Sequence, residues 1–337
     1  MSHFSLNWKK SLALAGLLLV LAGATLLGRN SLAGITGAAT GGEVWGANHF
    51  PNVELTDQFG RKHRFYDDLV KGKVVSFSFV FTSCAASCSL ETARLREVQQ
   101  LLGDRVGKDV FFYSLTIDPL TDTPEVLKAY AERFGIKDDR WLFLTGTEKD
   151  ITLIRRKLGV FDESDVGKDL NEHSLHTVIG NQATGRWMKG SPFENPYVTA
   201  TQIGSWLHNY KVPETLGANY TQAPTHLVQM SKGETLFRTR CSSCHTIAGK
   251  AQVGMPRVGP DLMNVTERRP RAWLMRWIRE PDRMLAEKDP QAVALFNQYN
   301  KVSMPNLRLA PAEVNDLLQF LDEASRTGDY AKRAAME

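Results

Sequence analysis

Four cysteines occur in 337 residues, and they form two closely spaced pairs, Cys84 with Cys88 and Cys241 with Cys244. A chain of this length buries sizeable cores without disulfide staples, so both spacings read as chemical rather than as a framework. In Cys84-Ala-Ala-Ser-Cys88 two thiols can close into a disulfide or serve as a pair of soft metal ligands. A disulfide closing so short a loop adds little stability, which makes a purely structural bridge unattractive. In Cys241-Ser-Ser-Cys244-His245 the spacing is that of covalent haem attachment. Two thiols add to the two porphyrin vinyl groups, and the adjacent His245 reaches the iron.

A haem held by histidine on one side takes a thioether on the other when electrons are to be passed. Met255, Met263 and Met304 are the candidates. Met304-Pro305-Asn306 lies in a loop before the last helix, far enough down the chain to close over the opposite haem face, and Met304 is the expected ligand. A zinc knuckle would need a second ligand pair nearby, and no cysteine follows Cys244.

The elements that must position these groups differ between the halves. Val74 to Phe81 is a short β-branched and aromatic run bounded by Gly72 and Ser83, which predicts a strand buried on both faces. Leu90, Ala93, Leu95 and Val98 then recur at helical spacing, so Cys84 and Cys88 sit at a strand-to-helix turn. Backbone N–H groups at a helix start favour a thiolate there. Further strands are predicted at Val110–Ile117, Trp141–Leu144, His173–Gly180 and Gly185–Lys189, with helices after Pro124, at Ile151–Leu158 and from Tyr197 to Tyr210. A hairpin turns at Gly60. Strands alternating with helices imply a sheet covered by helices. The pattern fades between Lys211 and Pro224, and beyond it helices are expected at Met230–Arg240, Arg271–Arg279, Pro290–Tyr299 and Pro311–Glu323.

The N-terminus suggests the compartment. Lys9-Lys10 precede an apolar stretch from Ser11 to Gly28, a charged start and apolar run typical of an export signal, with a length between a signal core and a minimal membrane span. A retained anchor is favoured over cleavage at Ser31-Leu32-Ala33, with the cationic flank inside and the body outside. Formal net charge is only +4, with no basic run carrying interleaved aromatics, so nucleic acid is not a partner. The organisation read from the chain is an anchor and tether over 1–40, a first domain over 41–210, a linker over 211–226, a second domain over 227–330 and a tail over 331–337.

Two resemblances sharpen this. Gly233, Phe237, the haem motif, Gly259-Pro260-Asp261-Leu262, Ser303-Met304-Pro305-Asn306 and a C-terminal helix resemble a class I cytochrome c domain. That resemblance implies an all-α fold with Pro260 near the proximal histidine, and makes Trp273, Trp277, Leu317, Phe320 and Leu321 core packing around the haem. Phe81-Thr-Ser-Cys84-Ala-Ala-Ser-Cys88, Thr116-Ile-Asp118-Pro119, Asp122-Thr-Pro-Glu125, Trp141-Leu-Phe-Leu-Thr-Gly146 and His173-Ser174 resemble the Sco/SenC family. That resemblance implies an α/β thioredoxin-like fold, copper bound by Cys84, Cys88 and His173, and a role in assembling the copper centre of cytochrome oxidase or in thiol exchange with it. His176 is the competitor to His173, and Asp118 and Asp122 fall at the family's acidic positions after the second strand. Ala85 and Ser89 stand where many members carry proline, and Glu172 where an aspartate is common. His49, His63, His208 and His226 lie away from the motifs and are expected at the surface.

The donor chemistry agrees, because two thiolates and one imidazole suit Cu(I) and can hold Cu(II). Electron count also favours copper as the haem's correspondent, since both exchange one electron and a dithiol exchanges two. Met/His ligation raises a haem's potential. A haem about 0.2 V above a dithiol would reduce the disulfide only against roughly 9 kcal/mol. The haem therefore accepts electrons from the dithiol or exchanges them with bound copper. The alternative function is a periplasmic thiol-disulfide oxidoreductase whose dithiol passes electrons to the haem.

Overall fold

A computed structural model of the chain describes residues 45–330 apart from 85–87, 162, 164–169, 171–175, 192, 209–229 and 250–257. The expected anchor, tether, linker and tail lie outside the described residues, as do His173, Glu172, Ala85, His226 and Met255, and the His208 side chain. Among the described residues no helix is long and apolar enough to cross a membrane.

Among the described residues the first domain is one seven-stranded sheet. Its strands are β1 (Glu54–Asp57), β2 (Lys62–Arg64), β3 (Val74–Val80), β4 (Val110–Thr116), β5 (Trp141–Thr145), β6 (Thr177–Asn181) and β7 (Arg186–Gly190), in the order β2-β1-β5-β4-β3-β6-β7. The central β3, β4 and β5 run parallel, and β1, β6 and β7 are antiparallel to their neighbours. Helix α1 (Cys88–Leu102) connects β3 to β4, and α2 (Pro124–Arg133) connects β4 to β5. This is the thioredoxin-like architecture, and it places the Cys84 loop beyond the carboxyl end of a central parallel strand, where open α/β sheets present their sites.

Alternation along β3 builds two cores. Val75, Phe77 and Phe79 face one side with Leu144, Ile151 and Ile154, the last two from α3 (Glu148–Lys157). Val74 and Val80 face the other with Val98, Leu102, Leu127 and Tyr130 of α1 and α2. Every residue of β3 is buried, as the continuous apolar run requires. Its Ser78 hydroxyl meets Ser114 Oγ at 2.7 Å, and Trp141 Nε1 donates to Ser114 Oγ at 2.9 Å, so these polar atoms are satisfied inside the sheet. The hairpin turns at Gly60, whose φ of +81° suits glycine. Helix α4 (Pro196–Gly204) packs beside α1 and is shorter than the stretch expected from Tyr197 to Tyr210.

Two histidines assigned to the surface are not free there. His63 Nε2 lies 2.9 Å from Oδ2 of the fully buried Asp57, and His49 Nε2 lies 2.9 Å from the Lys157 carbonyl with its ring stacked on Trp45. The His63 contact closes across the hairpin that turns at Gly60, whereas the His49 contact joins residues 108 apart in sequence, which local composition does not display.

The second domain is helical: α5 (Lys232–Leu236), continued by a wide helical turn over Phe237–Cys241, then α6 (Val265–Arg268), α7 (Arg271–Arg279), α8 (Pro281–Ala286), α9 (Pro290–Gln298) and α10 (Pro311–Thr327). Helix α5 presses on α10 at Gly233, where a Cβ would stand 2.1 Å from the Asp316 carbonyl oxygen. Only glycine permits that approach.

Candidate functional site

The first site is built at the start of α1. Cys84 is 6 % and Cys88 0 % exposed, and neither is in a disulfide. The Cys84 amide donates to the Phe81 carbonyl at 3.2 Å, closing the turn that leaves β3. Thr82, two residues ahead of Cys84, is fixed from β4 and its loop. The Thr82 hydroxyl donates to Asp122 Oδ1 at 2.5 Å, its amide lies 3.2 Å from Asp122 Oδ2, and the Thr116 hydroxyl donates to the same oxygen at 2.5 Å. On the helix side, the Tyr130 hydroxyl donates to the Cys88 carbonyl at 3.3 Å and pairs with Thr92 Oγ1 at 2.9 Å.

A helix start was expected to favour a thiolate. For Cys88 the structure gives the opposite. A hydrogen bond with Cys84, then burial, then the charges of Cys84 and Glu91 push the Cys88 thiol well above its ordinary range. The hydrogen bond with Cys84 and desolvation outweigh the helix terminus here.

Glu91 is the residue that the sequence reading passed over. It is 1 % exposed, accepts from the Thr177 hydroxyl at 3.1 Å through Oε1, and finds no hydrogen-bond partner for Oε2 among the described residues. Burial, reinforced by the Cys84 charge, pushes its carboxyl up to about 8. The signal was present: Cys88, Glu91, Leu95, Val98 and Leu102 share one helical face, and a carboxyl on an otherwise apolar stripe must answer to something buried. His176, half-buried just before β6, neighbours Thr177 in sequence. Among the described residues no set of three His, Cys, Asp or Glu side chains is placed to hold a metal. The expected third ligand, His173, lies outside them.

The second site is a cavity in the helical domain with about 1350 Å³ of empty space, open mouth included. Cys241, Cys244 and His245 lie on its wall, and Met304, Trp273, Trp277, Leu317 and Leu321 complete an apolar lining. Phe320 turns away to pack on Phe237 and Tyr330. Of the three candidate methionines, Met304 lines the cavity, Met263 belongs to the surrounding core, and Met255 lies outside the described residues.

These residues fit a covalent haem. His245 Nδ1 is 2.9 Å from the Pro260 carbonyl, which fixes the tautomer and leaves Nε2 for a metal. Burial holds the imidazole below its ordinary range, hence neutral, and pushes Cys241 and Cys244 each up to about 12. Gly259 makes the imidazole's position possible, since a Cβ there would stand 2.7 Å from the Cys244 carbonyl oxygen and 2.8 Å from His245 Cε1. Gly259→Ala is expected to destabilise this domain by about 1–3 kcal/mol, the usual cost of overpacking. Denaturant titration followed through haem absorbance measures it, and a wild-type midpoint would contradict the assignment.

The Arg268-Arg269-Pro270-Arg271 cluster is tied into the domain. Arg268 donates to the Asp261 carbonyl at 2.9 Å and Arg271 to Asn315 Oδ1 at 2.8 Å.

Comparison with known proteins gives two matches along the chain. Residues 46–207 match the SCO1/SenC family model and residues 230–325 the cytochrome c model. A SCO2-like protein from Rickettsia typhi is 30 % identical over 164 residues, covering 46 % of this chain and 74 % of that protein. One from Rickettsia felis is 33 % identical over 144 residues, covering 41 % and 66 %. With the first relatives the match spans 65 or 66 % of their own length, just under two thirds. A solved cytochrome c domain from Pseudomonas putida is 55 % identical over 28 % of this chain and 89 % of its own, with a TM-score of 0.26.

Proposed function

Since the chain belongs to the SCO1/SenC family and carries a cytochrome c domain behind the family's module, we propose that it is an exported copper-binding redox protein that assists assembly of a copper centre in a respiratory oxidase. Copper is held by Cys84, Cys88 and His173. The haem is attached through Cys241 and Cys244 and ligated by His245 and Met304. When bound, haem and copper supply one-electron chemistry. The residues of this chain bury the two thiols together, anchor the loop of Cys84 through Asp122, and orient His245 through Pro260. The observation that carries this reading is the unbridged, buried Cys84–Cys88 pair at the mouth of a central strand, joined to a haem cavity with Met304 on its wall. Residues 11–28 retain the protein at the inner membrane, with both domains in the periplasm.

Copper stoichiometry tests it. Wild type is expected to bind one copper per chain, and Cys84→Ser to bind none while keeping its haem spectrum; unchanged stoichiometry in the variant would refute the assignment. The two buried thiols outside any disulfide support a second reading, thiol-disulfide exchange with a client whose electrons leave through the haem. In a copper-free preparation that reading requires haem reduction on adding a dithiol substrate, and a haem that stays ferric eliminates it.

A further inference from the structure

Helix α1 begins in the thiol site, and its middle turns lie against the haem-attachment segment. Arg94, two turns beyond Cys88, is 5 % exposed and reaches across to the second domain. Its Nη2 donates to the carbonyls of Arg238, at 3.4 Å, and Thr239, while Nη1 donates to the Glu194 carbonyl at 3.3 Å. The two second-domain carbonyls lie in the wide helical turn that delivers Cys241, where a cation is favoured by the exposed carbonyl ends. Three residues on, Glu97 lies beside Ser243 and Cys244. Burial raises its carboxyl, with Ser243 and Arg94 opposing.

The opposite rim of the haem cavity is held too. Val302, two residues before Met304, is buried in the same apolar cluster as Leu95, Val98 and Tyr130, and Cys244 packs against that cluster. Arg133 at the end of α2 donates to the Lys301 carbonyl at 3.4 Å. The first domain therefore touches both segments that frame the haem, the one bearing Cys244 and the one bearing Met304. An arginine this buried is not a solvated surface charge. It is retained by three carbonyls, and among the described residues no carboxylate lies within hydrogen-bonding distance of it.

We infer that the α1–α2 face of the first domain is the built-in docking partner of the haem domain, clasped by Arg94, so that electron exchange between the thiol site and the haem runs within one chain. This rests on the copper reading above. Cys88 and Glu97 are nine residues apart on one helix, about 14 Å along its axis. The step balances without a third reactant: Cu(I) at the thiol site becomes Cu(II), and one ferric haem becomes ferrous. Arg94 is a positioning residue, because it acts through the haem-attachment segment and touches neither reacting centre.

The test uses the full chain with ferric haem, mixed anaerobically with one equivalent of Cu(I), with haem reduction followed by absorbance. The wild-type rate constant is expected to stay constant through a dilution series. In Arg94→Ala it is expected to fall about tenfold or more, the effect of losing hydrogen bonds from a charged donor, and to become dependent on protein concentration. Amide hydrogen exchange at Arg238–Cys244 is expected to quicken in that variant with Cu(I) absent, which reads the clasp without reference to copper. Should Arg94→Ala fail to fold, Arg133→Ala at the exposed second contact is expected to quicken exchange at Lys301–Met304. Wild-type reduction that slows on dilution, or exchange in both variants identical to wild type, overturns the inference. Absence of Cu(I) binding alongside quickened exchange in the variants refutes the copper reading and leaves the docked interface standing.

Discussion

Replacing Glu91 with glutamine is expected to flatten the pH dependence of the first domain's stability between pH 4.5 and 8. The wild-type carboxyl is held protonated up to about 8 by burial and by the Cys84 charge, against an ordinary value of 4.5. In that window the unfolded chain has released the Glu91 proton and the folded chain has not, so the folded state binds more protons and loses stability as pH rises. The stabilisation is complete below pH 4.5 and gone above pH 8. Its span is up to about 5 kcal/mol, at 1.36 kcal/mol for each pH unit. Glutamine does not titrate, so wild type should lose this much relative to Glu91→Gln between pH 4 and 8.5. Urea unfolding of the copper-free chain, followed by tryptophan fluorescence, measures it. Parallel curves for the two proteins would show that Glu91 is ionised in the fold and that its environment has been misassigned. The same carboxyl bears on function, because its proton responds to the charge on the sulfur pair three residues away. Ligation of a cation by those thiolates removes part of the field that holds Glu91 neutral.

Much of this was legible from residue spacing, and the exceptions share a cause. The run from Val74 to Val80, the helix beginning at Cys88 and the parallel strand from Val110 are local patterns of period and apolarity, and they stand where the sequence places them. The haem motif is likewise local, because attachment chemistry fixes Cys241, Cys244 and His245 within five residues. Met304 stands on the cavity wall, on the loop before the last helix. Asp122 and Arg94 carry no comparable local signal, and Glu91 shows only as a carboxyl on an apolar helical face. Their roles depend on Thr177, Thr82 and the carbonyls of Arg238 and Thr239, from 40 to 145 residues away in sequence. The thiolate expectation for Cys88 failed on packing. Position at a helix start is a sequence property, whereas the hydrogen bond with Cys84 and the burial that override it arise only when the turn and α1 are laid against Tyr130 and the sheet.

Asp122→Ala is expected to cost about 3–5 kcal/mol of stability, since it strands buried donors that share one charged acceptor. Asp122 is fully buried and receives the Thr82 hydroxyl, the Thr82 amide and the Thr116 hydroxyl. The Thr116 hydroxyl oxygen in turn accepts the Asp118 amide at 2.9 Å. This carboxylate thus ties the end of β4 to the loop that carries Cys84, a job that burial alone would oppose, since desolvation raises its pKa while these bonds lower it. Asp122→Asn keeps one acceptor oxygen but supplies an N–H₂ where a second acceptor is needed, so a smaller loss of about 1–2 kcal/mol is expected. The consequence for metal follows from position. Thr82 is two residues from Cys84, so releasing it lets that thiol leave the geometry it shares with Cys88. Copper affinity in Asp122→Ala should therefore fall by about tenfold or more, each 1.4 kcal/mol of lost preorganisation being one decade. Haem absorbance and the unfolding of the second domain should not change. Competitive Cu(I) titration beside chemical denaturation separates the two effects. Full copper affinity in a destabilised variant would confine Asp122 to the fold and detach the loop's rigidity from ligation.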